Sequence, residues 1–315
     1  MDKASLGFIF CELFTLYYHG LDSLEPQDIH FSDVSDWLLH NHRDELQQQR
    51  EFWAETLKDA RPMYLMSSTP SEEPLSDLTQ IEATVDASSL ALCHSLMKDI
   101  GATPSEGFFA AYNTLLYHYS SQETMVVGTA VSQRNTAQLA SVVGPLTTFL
   151  PIKTIVDPNQ TFQEYFTSFK ADLSKSLENS DVAHVDINPK VLHPSSYFRH
   201  SFAYNGMNLD AISELEMERV QVQNIRTLCK IKDVELQELF MDVYGKTGRV
   251  ILRFNNHVFS QEDARKFLDT YIALVEALCR FPDSKMCDLS VFLNLTEPAS
   301  VTAVETDSQL TVTMI

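Results

Sequence analysis

The 315-residue sequence has few glycines and none of the short motifs that mark the commonest enzyme sites. Only 9 glycines are present, and no segment has the glycine-rich pattern that cradles a nucleotide phosphate. The sequence contains no H-E-x-x-H motif, no G-x-S-x-G motif and no cysteine–histidine cluster with metal-ligand spacing. These absences exclude the usual signatures of nucleotide-binding enzymes, zinc proteases and serine hydrolases, and no metal site is predicted.

Basic residues are also scarce. Lysine and arginine total 23 against 43 aspartate and glutamate residues, which gives a formal net charge of −20. A surface of this charge repels phosphate backbones and anionic lipids, so neither nucleic acid nor a membrane surface is an expected partner. The apolar run at 6–18 contains Glu12 and is shorter than the roughly 20 residues that span a bilayer. It therefore favours a buried amphipathic helix.

Cysteines are few, odd in number and widely spaced. The five positions are Cys11, Cys93, Cys229, Cys279 and Cys287, and none forms a C-x-x-C pair. This usage is typical of reduced thiols in a cytoplasmic protein.

The first part of the chain is predicted to be helical. Residues 4–19 have apolar positions at helical spacing and end at Gly20. A second helical region, in two pieces, follows between Trp37 and Lys58. Because Trp37 and Trp53 lie beside apolar neighbours at helical spacing, both are predicted to be core residues.

A connector separates this part from a region of alternating strands and helices. Residues 67–77 combine serine, threonine, proline and glutamate without periodicity, which is typical of an exposed connector. Strands are predicted at 79–85, 123–131, 149–156, 201–204, 234–244 and 249–255, and helices at 87–100, 103–119, from 161 onwards and at 260–280. The pattern indicates a soluble α/β fold in 75–295, preceded by 1–70 and followed by a disordered tail at 296–315.

Three separated groups of residues resemble one known family. They are 29–37 (IHFSDVSDW) with Trp53 downstream, 127–134 (VGTAVSQR) with 143–153 (VGPLTTFLPIK), and 197–205 (YFRHSFAYN). Their order and spacing are similar to those of nonribosomal peptide synthetase condensation domains, from about residue 1 to residue 295. Similar domains occur in fungal synthetases and polyketide/peptide hybrids. The resemblance implies a chloramphenicol-acetyltransferase-like lobe at 75–295 that carries a remnant of a second lobe at 1–70.

The family's catalytic motif, H-H-x-x-x-D-G, is matched only in part. Asp2 fits the motif aspartate, and Lys3 stands where glycine is usual. The two histidines would lie upstream of Met1, so the resemblance implies an N-terminally truncated condensation domain. Because the second histidine serves the family as the group that accepts or orients the proton, its loss removes the base from the reaction.

The resemblance assigns roles to a few further residues. In the family the motif aspartate is structural and pairs with the arginine matched here by Arg134, which predicts a bidentate Asp2–Arg134 pair. Asn205 matches a polar position that lines the family's channel, although a turn residue would fit equally well. His184, in an element similar to H-x-D-x-P-F, and His200 are the candidates for a replacement base. A lone histidine near an apolar strand is, however, more often an inert core residue.

The resemblance implies a function in secondary metabolism. The family forms an amide or ester between a carrier-bound acyl or peptidyl thioester and an acceptor. No directly bound cofactor is expected, because the phosphopantetheine arm belongs to a partner acyl or peptidyl carrier protein within synthetase modules. Alone, the chain is expected to be impaired or inactive, with an exposed apolar face that favours self-association.

Two alternatives remain open. One is a noncatalytic module, or gene remnant, that binds carrier proteins. The other is a repurposed stand-alone enzyme for polyketide-type cyclisation or release.

Overall fold

A computed structural model of the chain describes residues 2–24, 26–41, 43–61, 63–65, 78–182, 187, 199–206 and 238–289. The predicted tail at 296–315 and the candidate base His184 lie outside the described residues. No helix within the described ranges is both long enough and apolar enough to cross a lipid bilayer.

The described residues of the first part of the chain form three helices, as the periodicity predicts. Helix α1 spans Lys3–His19, α2 spans Phe31–Asn41 and α3 spans Arg43–Leu57. The prediction that the first helix is buried is wrong, because its apolar residues Leu13 and Tyr17 are 53% and 57% exposed. Asp2 caps the amino end of α1 by accepting a hydrogen bond from the backbone N–H of Ser5.

A mixed six-stranded sheet forms the centre of the fold. Its strands are β1 (Leu78–Thr84), β2 (Thr124–Ser132), β3 (Thr147–Ile155), β4 (His200–Asn205), β5 (Leu239–Tyr244) and β6 (Arg249–Asn255). Their order across the sheet is β1-β6-β5-β4-β2-β3. The β2–β4 and β4–β5 pairs are parallel, and the other pairs are antiparallel.

Within the ranges that the structure describes, four further helices connect and cover the strands. They are α4 (Ala87–Asp99), α5 (Pro104–Ser120), α6 (Phe162–Glu178) and α7 (Gln261–Arg280). Helices α5 and α6 each begin with the Thr-x-x-Glu capping box that the sequence predicts. The strands and helices predicted within the described residues are confirmed, with boundaries that shift by a few positions.

The main core lies between the sheet and these helices. Phe202 of β4 stacks on Phe109 of α5, with ring centroids 4.8 Å apart. Trp53 of α3 is fully buried in the same core, and its indole N–H donates to the carbonyl of Asn179 at 2.7 Å. The N-terminal helices therefore pack partly onto the sheet domain.

A second, smaller core fixes α2. Val34 packs with Val142 and Leu146, which belong to the loop between β2 and β3. The prediction that Trp37 is a core residue is wrong, since it is 49% exposed. The partly buried Leu38 faces this small core, and Trp37 lies about 100° around the helix from it.

The prediction of five reduced thiols is wrong for two of the cysteines. Cys93 of α4 and Cys279 of α7 form a disulfide, with their Cα atoms 5.6 Å apart. These residues are separated by 186 positions in the chain, and the packing of α4 against α7 brings them within disulfide reach. Cys11 and Cys287 are exposed and lie outside this disulfide.

Candidate functional site

The start of α1 contacts the segment that follows β2. Arg134 lies two residues after the end of β2, and its guanidinium donates to both carboxylate oxygens of Asp2. The Nη1–Oδ2 distance is 2.7 Å and the Nη2–Oδ1 distance is 3.1 Å. The side chains are only 6% (Arg134) and 9% (Asp2) exposed. The predicted bidentate pair is therefore present, and it is largely shielded from solvent.

Both oxygens of Asp2 accept additional hydrogen bonds. Oδ1 accepts from the backbone N–H of Ser5 at 2.9 Å. Oδ2 accepts from the backbone N–H of Leu146 at 2.9 Å and from the hydroxyl of Thr147 at 3.1 Å. Asp2 thus connects α1, Arg134 and the start of β3 through one carboxylate.

These contacts favour the ionised form of Asp2. Burial alone would raise the pKa of the carboxyl group, but hydrogen bonds from Arg134 and Ser5, with the charge of Arg134, lower it from 3.8 to about 2. A carboxylate with so low a pKa and so many donors is a poor proton acceptor near neutral pH. Its geometry suits a structural anchor.

Sequence reasoning missed two residues of this anchor, Ser5 and Gly144. The hydroxyl oxygen of Ser5 accepts hydrogen bonds from the backbone N–H of Gly144 at 2.9 Å and from Arg134 at 3.0 Å. It also lies 2.8 Å from both Asp2 Oδ1 and the carbonyl of Gly144, and its single proton can serve only one of these acceptors at a time. Ser5 is fully buried, and its position three residues after an aspartate at a helix start was the available signal.

Close packing against Phe31 requires a glycine at position 144. A Cβ atom at this position would lie 2.5 Å from Cδ2 and 2.8 Å from Cβ of Phe31, the first residue of α2. The glycine of the VGPL segment therefore lets α2 approach the loop that holds Asp2.

His200 is a buried residue of β4. It is 1% exposed, and its Nε2 lies 3.6 Å from Oε2 of Glu238, which is too far for a hydrogen bond. Burial, with a smaller contribution from the charge of Arg199, lowers the pKa of His200 from 6.5 to about 3. His200 is therefore a neutral core residue, and it does not contact Asp2.

Asn205 is the last residue of β4, and its side chain forms part of a polar cluster. Its Nδ2 donates to Oδ1 of Asp242 at 3.0 Å, and the other oxygen of Asp242 accepts from Nη1 of Arg253. Because β2 and β4 are parallel, their carboxyl ends lie at the same edge of the sheet. Asn205 and the Arg134 segment are therefore found at one edge, where ligand sites of α/β sheets commonly lie.

Among the described residues, no group of three His, Cys, Asp or Glu side chains is arranged so that it could bind a metal ion.

Known proteins provide an independent comparison. The family model "Condensation domain" matches residues 1–297. Bacitracin synthase 3 of Bacillus licheniformis is 29% identical over 192 residues, which is 59% of this chain and 3% of that protein. The chain thus spans only a small part of this multidomain relative.

Solved structures share the fold. A condensation domain from the monacolin K polyketide synthase MokA superposes with a TM-score of 0.74 at 15% identity, covering 90% of this chain and 68% of that chain. The X-domain of teicoplanin biosynthesis, solved in complex with OxyB, gives a TM-score of 0.71 at 18% identity over 91% and 67% of the two chains. These likenesses establish the chloramphenicol-acetyltransferase-like α/β fold. Since the family model also covers nearly the whole sequence, the chain belongs to the condensation-domain family of nonribosomal peptide synthetases, whose reaction is amide bond formation.

Proposed function

We propose that the chain provides one side of a condensation site in secondary metabolism. The reaction joins an acyl or peptidyl thioester, carried on the phosphopantetheine arm of a carrier protein, to an acceptor amine or hydroxyl. An amide or ester forms and the carrier thiol leaves. Carrier proteins and synthetase modules are the proposed partners, and the arm belongs to the carrier rather than to this chain.

The Asp2–Arg134 anchor is the observation that carries this proposal. Asp2 matches the aspartate of the family's H-H-x-x-x-D-G motif, and its six short contacts make it a support for the motif loop. The two charges pair with each other within the protein, so they hold backbone in place and leave proton transfer to another group.

We further propose that the 315-residue polypeptide is impaired or inactive as a condensation catalyst when it acts alone. Acyl transfer needs a group that accepts or orients the nucleophile's proton, and such help typically contributes roughly 10²–10⁴-fold. Neither Asp2, with a pKa of about 2, nor His200, with a pKa of about 3, is suited to that role near neutral pH. Of the two histidines considered as a replacement base, His184 and His200, His184 is the one to be tested by substitution.

A single-turnover assay tests this proposal. The purified chain is mixed with acyl-loaded and aminoacyl-loaded carrier proteins, and the condensed product is followed by mass spectrometry. A condensation domain with the complete histidine motif is the positive control. We expect the control to form product and the chain to form none above background. Robust turnover by the chain would overturn the proposal, and His184→Ala would then show whether His184 replaces the base.

A noncatalytic binding module is the second candidate function. It is supported by the fold match to the teicoplanin X-domain, which was solved as a complex with OxyB. In this case the chain would bind a carrier protein or synthetase module without forming product. Carrier-protein binding in the absence of turnover is the result expected of such a module.

The outer surface of α1 suggests how such a module would associate. Ile9, Leu13 and Tyr17 follow one another at four-residue spacing and are 37%, 53% and 57% exposed. A contiguous apolar face of this kind commonly marks a protein contact. We propose that the isolated chain self-associates through this face of α1.

A further inference from the structure

In the polar cluster around Asn205, the chemistry of the side chains determines which groups donate hydrogen bonds and which accept them. Asp242 is 5% exposed and presents only acceptors when ionised. One of its oxygens accepts from Nη1 of Arg253 and the other from Nδ2 of Asn205. The Arg253 guanidinium also lies over the ring of Phe240, 5.5 Å from its centroid. Asp242 is therefore bound on one side by Arg253, which can only donate hydrogen bonds.

This order determines which way the Asn205 amide faces. An amide carries its NH₂ group and its oxygen on opposite branches of one planar unit. Because Nδ2 is held by Asp242, Oδ1 is directed away from Asp242. A carbonyl oxygen can accept two hydrogen bonds, so a contact of Asn205 within the chain does not by itself prevent Oδ1 from accepting another from a ligand.

We propose that Asp242 and Arg253 are positioning residues that make Asn205 a hydrogen-bond acceptor for the substrate. Its partner would be an amide N–H of the pantetheine arm. This inference rests on the proposed function, and it further places that arm at the edge of the sheet formed by the carboxyl ends of β2 and β4. The Asn205–Asp242–Arg253 chain then sets a preference for ligands with an N–H donor at this position.

The network makes an unusual prediction for Asp242→Asn. Arg253 can only donate, so it draws the carbonyl of the new side chain towards itself and leaves the new NH₂ facing Asn205. Asn205 must then turn its oxygen towards residue 242 and its NH₂ towards the ligand. The added change Asn205→Asp restores an oxygen on the ligand side, because the new carboxylate accepts from residue 242 and still has free acceptor positions.

The test compares two small probes. The first is the acetyl thioester of N-acetylcysteamine, which contains one amide N–H, and the second is its ester analogue, in which oxygen replaces that N–H. Dissociation constants are measured by NMR titration for the wild type, Asp242→Asn and Asn205→Asp/Asp242→Asn. Glu82→Gln is the matched control, since Glu82 is also an arginine-paired carboxylate of the sheet, bonded to Arg249.

We expect the wild type and Glu82→Gln to bind the amide roughly 3- to 10-fold more tightly than the ester, as one hydrogen bond allows. Asp242→Asn should lose this preference and the double variant should regain it. A purely structural role for Asp242 would not produce the recovery. Retention of the preference in Asp242→Asn, or failure of the double variant to restore it, would overturn the inference.

Two further outcomes separate this inference from the proposed function. If the wild type binds both probes equally, the inference is wrong while the proposed site stands. If it binds neither probe, the proposed placement of the pantetheine arm is wrong, and the inference fails with it.

A measurement on the wild type covers the case in which Asp242→Asn does not fold. The side-chain NH₂ signals of Asn205 are identified by their loss in Asn205→Asp. Slow exchange with solvent of one of these protons supports the bond to Asp242, and fast exchange of both protons contradicts it.

Discussion

Arg134 and Asp2 are 132 positions apart in the chain, yet they form a bidentate ion pair with N–O distances of 2.7 and 3.1 Å. The pair joins the first turn of α1 to the segment that leaves β2. An arginine fork matches a carboxylate in geometry as well as in charge, which gives such a pair directional strength. This contact positions the start of α1 relative to the sheet edge at which Asn205 lies.

The low pKa of Asp2 predicts a pH-dependent contribution to stability. A carboxyl whose pKa is lower in the folded state than in the unfolded state stabilises the fold above its unfolded pKa. That contribution is lost as the pH falls through the folded pKa. For Asp2, with values of 3.8 and about 2, this contribution is on the order of 2 kcal/mol above pH 4 and disappears near pH 2.

Urea unfolding of the wild type and Asp2→Asn at several pH values measures this effect. The wild type should be the more stable protein at neutral pH, and the difference should shrink between pH 4 and pH 2. A difference that does not change with pH would argue against an ionised, hydrogen-bonded Asp2.

Gly144→Ala should destabilise the protein by roughly 1–3 kcal/mol, because the new methyl group would overlap the side chain of Phe31. Gly206→Ala is the matched control, since a Cβ atom there would come no closer than 3.9 Å to Tyr204. Thermal melts of the two variants give the comparison. Equal stability of the two variants would show that Phe31 does not restrict position 144.

The cysteine pair predicts a covalent link between α4 and α7. Peptide mapping without reductant, after alkylation of free thiols, should recover Cys93 and Cys279 in one cross-linked peptide. Reduction should lower the melting temperature, because a link of this kind typically contributes roughly 2–4 kcal/mol. Cys11→Ser should leave both results unchanged. Alkylation of Cys93 and Cys279 before reduction would contradict the link.

The apolar face of α1 predicts concentration-dependent association. Leu13→Gln/Tyr17→Gln should shift the chain towards the monomer in light scattering and should reduce binding of a hydrophobic dye. Leu92→Gln is the control, since Leu92 is a 41% exposed leucine on α4. A wild-type chain that stays monomeric at high concentration and binds no dye would count against this face as a contact surface.

Local signals made most of the secondary structure predictable. The capping boxes at Thr103 and Thr161 need only residues that lie three positions apart, and both are formed as expected. The hairpin of β5 and β6 likewise follows from a short turn between two apolar runs.

Contacts between distant segments were harder to predict from the sequence. Periodicity shows that α2 has an apolar side, but which neighbour covers it depends on the β2–β3 loop, and so Trp37 was misplaced. The Cys93–Cys279 pair and the Asn205–Asp242 bond arise from helix and strand packing. The Asp2–Arg134 pair was predictable only because both residues match motifs of a known family.

A double-mutant cycle on Asp2 and Arg134 tests the central claim, which is that these residues form a structural anchor. The free energy of unfolding is measured by urea for the wild type, Asp2→Asn, Arg134→Gln and the double variant. Asp269→Asn is the control, because Asp269 forms an exposed pair with Arg265 at 3.8 Å that should contribute at most about 0.5 kcal/mol.

We expect each single variant to lose roughly 3 kcal/mol, since each leaves a shielded charge without its partner. The double variant should lose clearly less than the sum of the two single losses. Negligible and strictly additive losses, no larger than that of Asp269→Asn, would contradict the anchor.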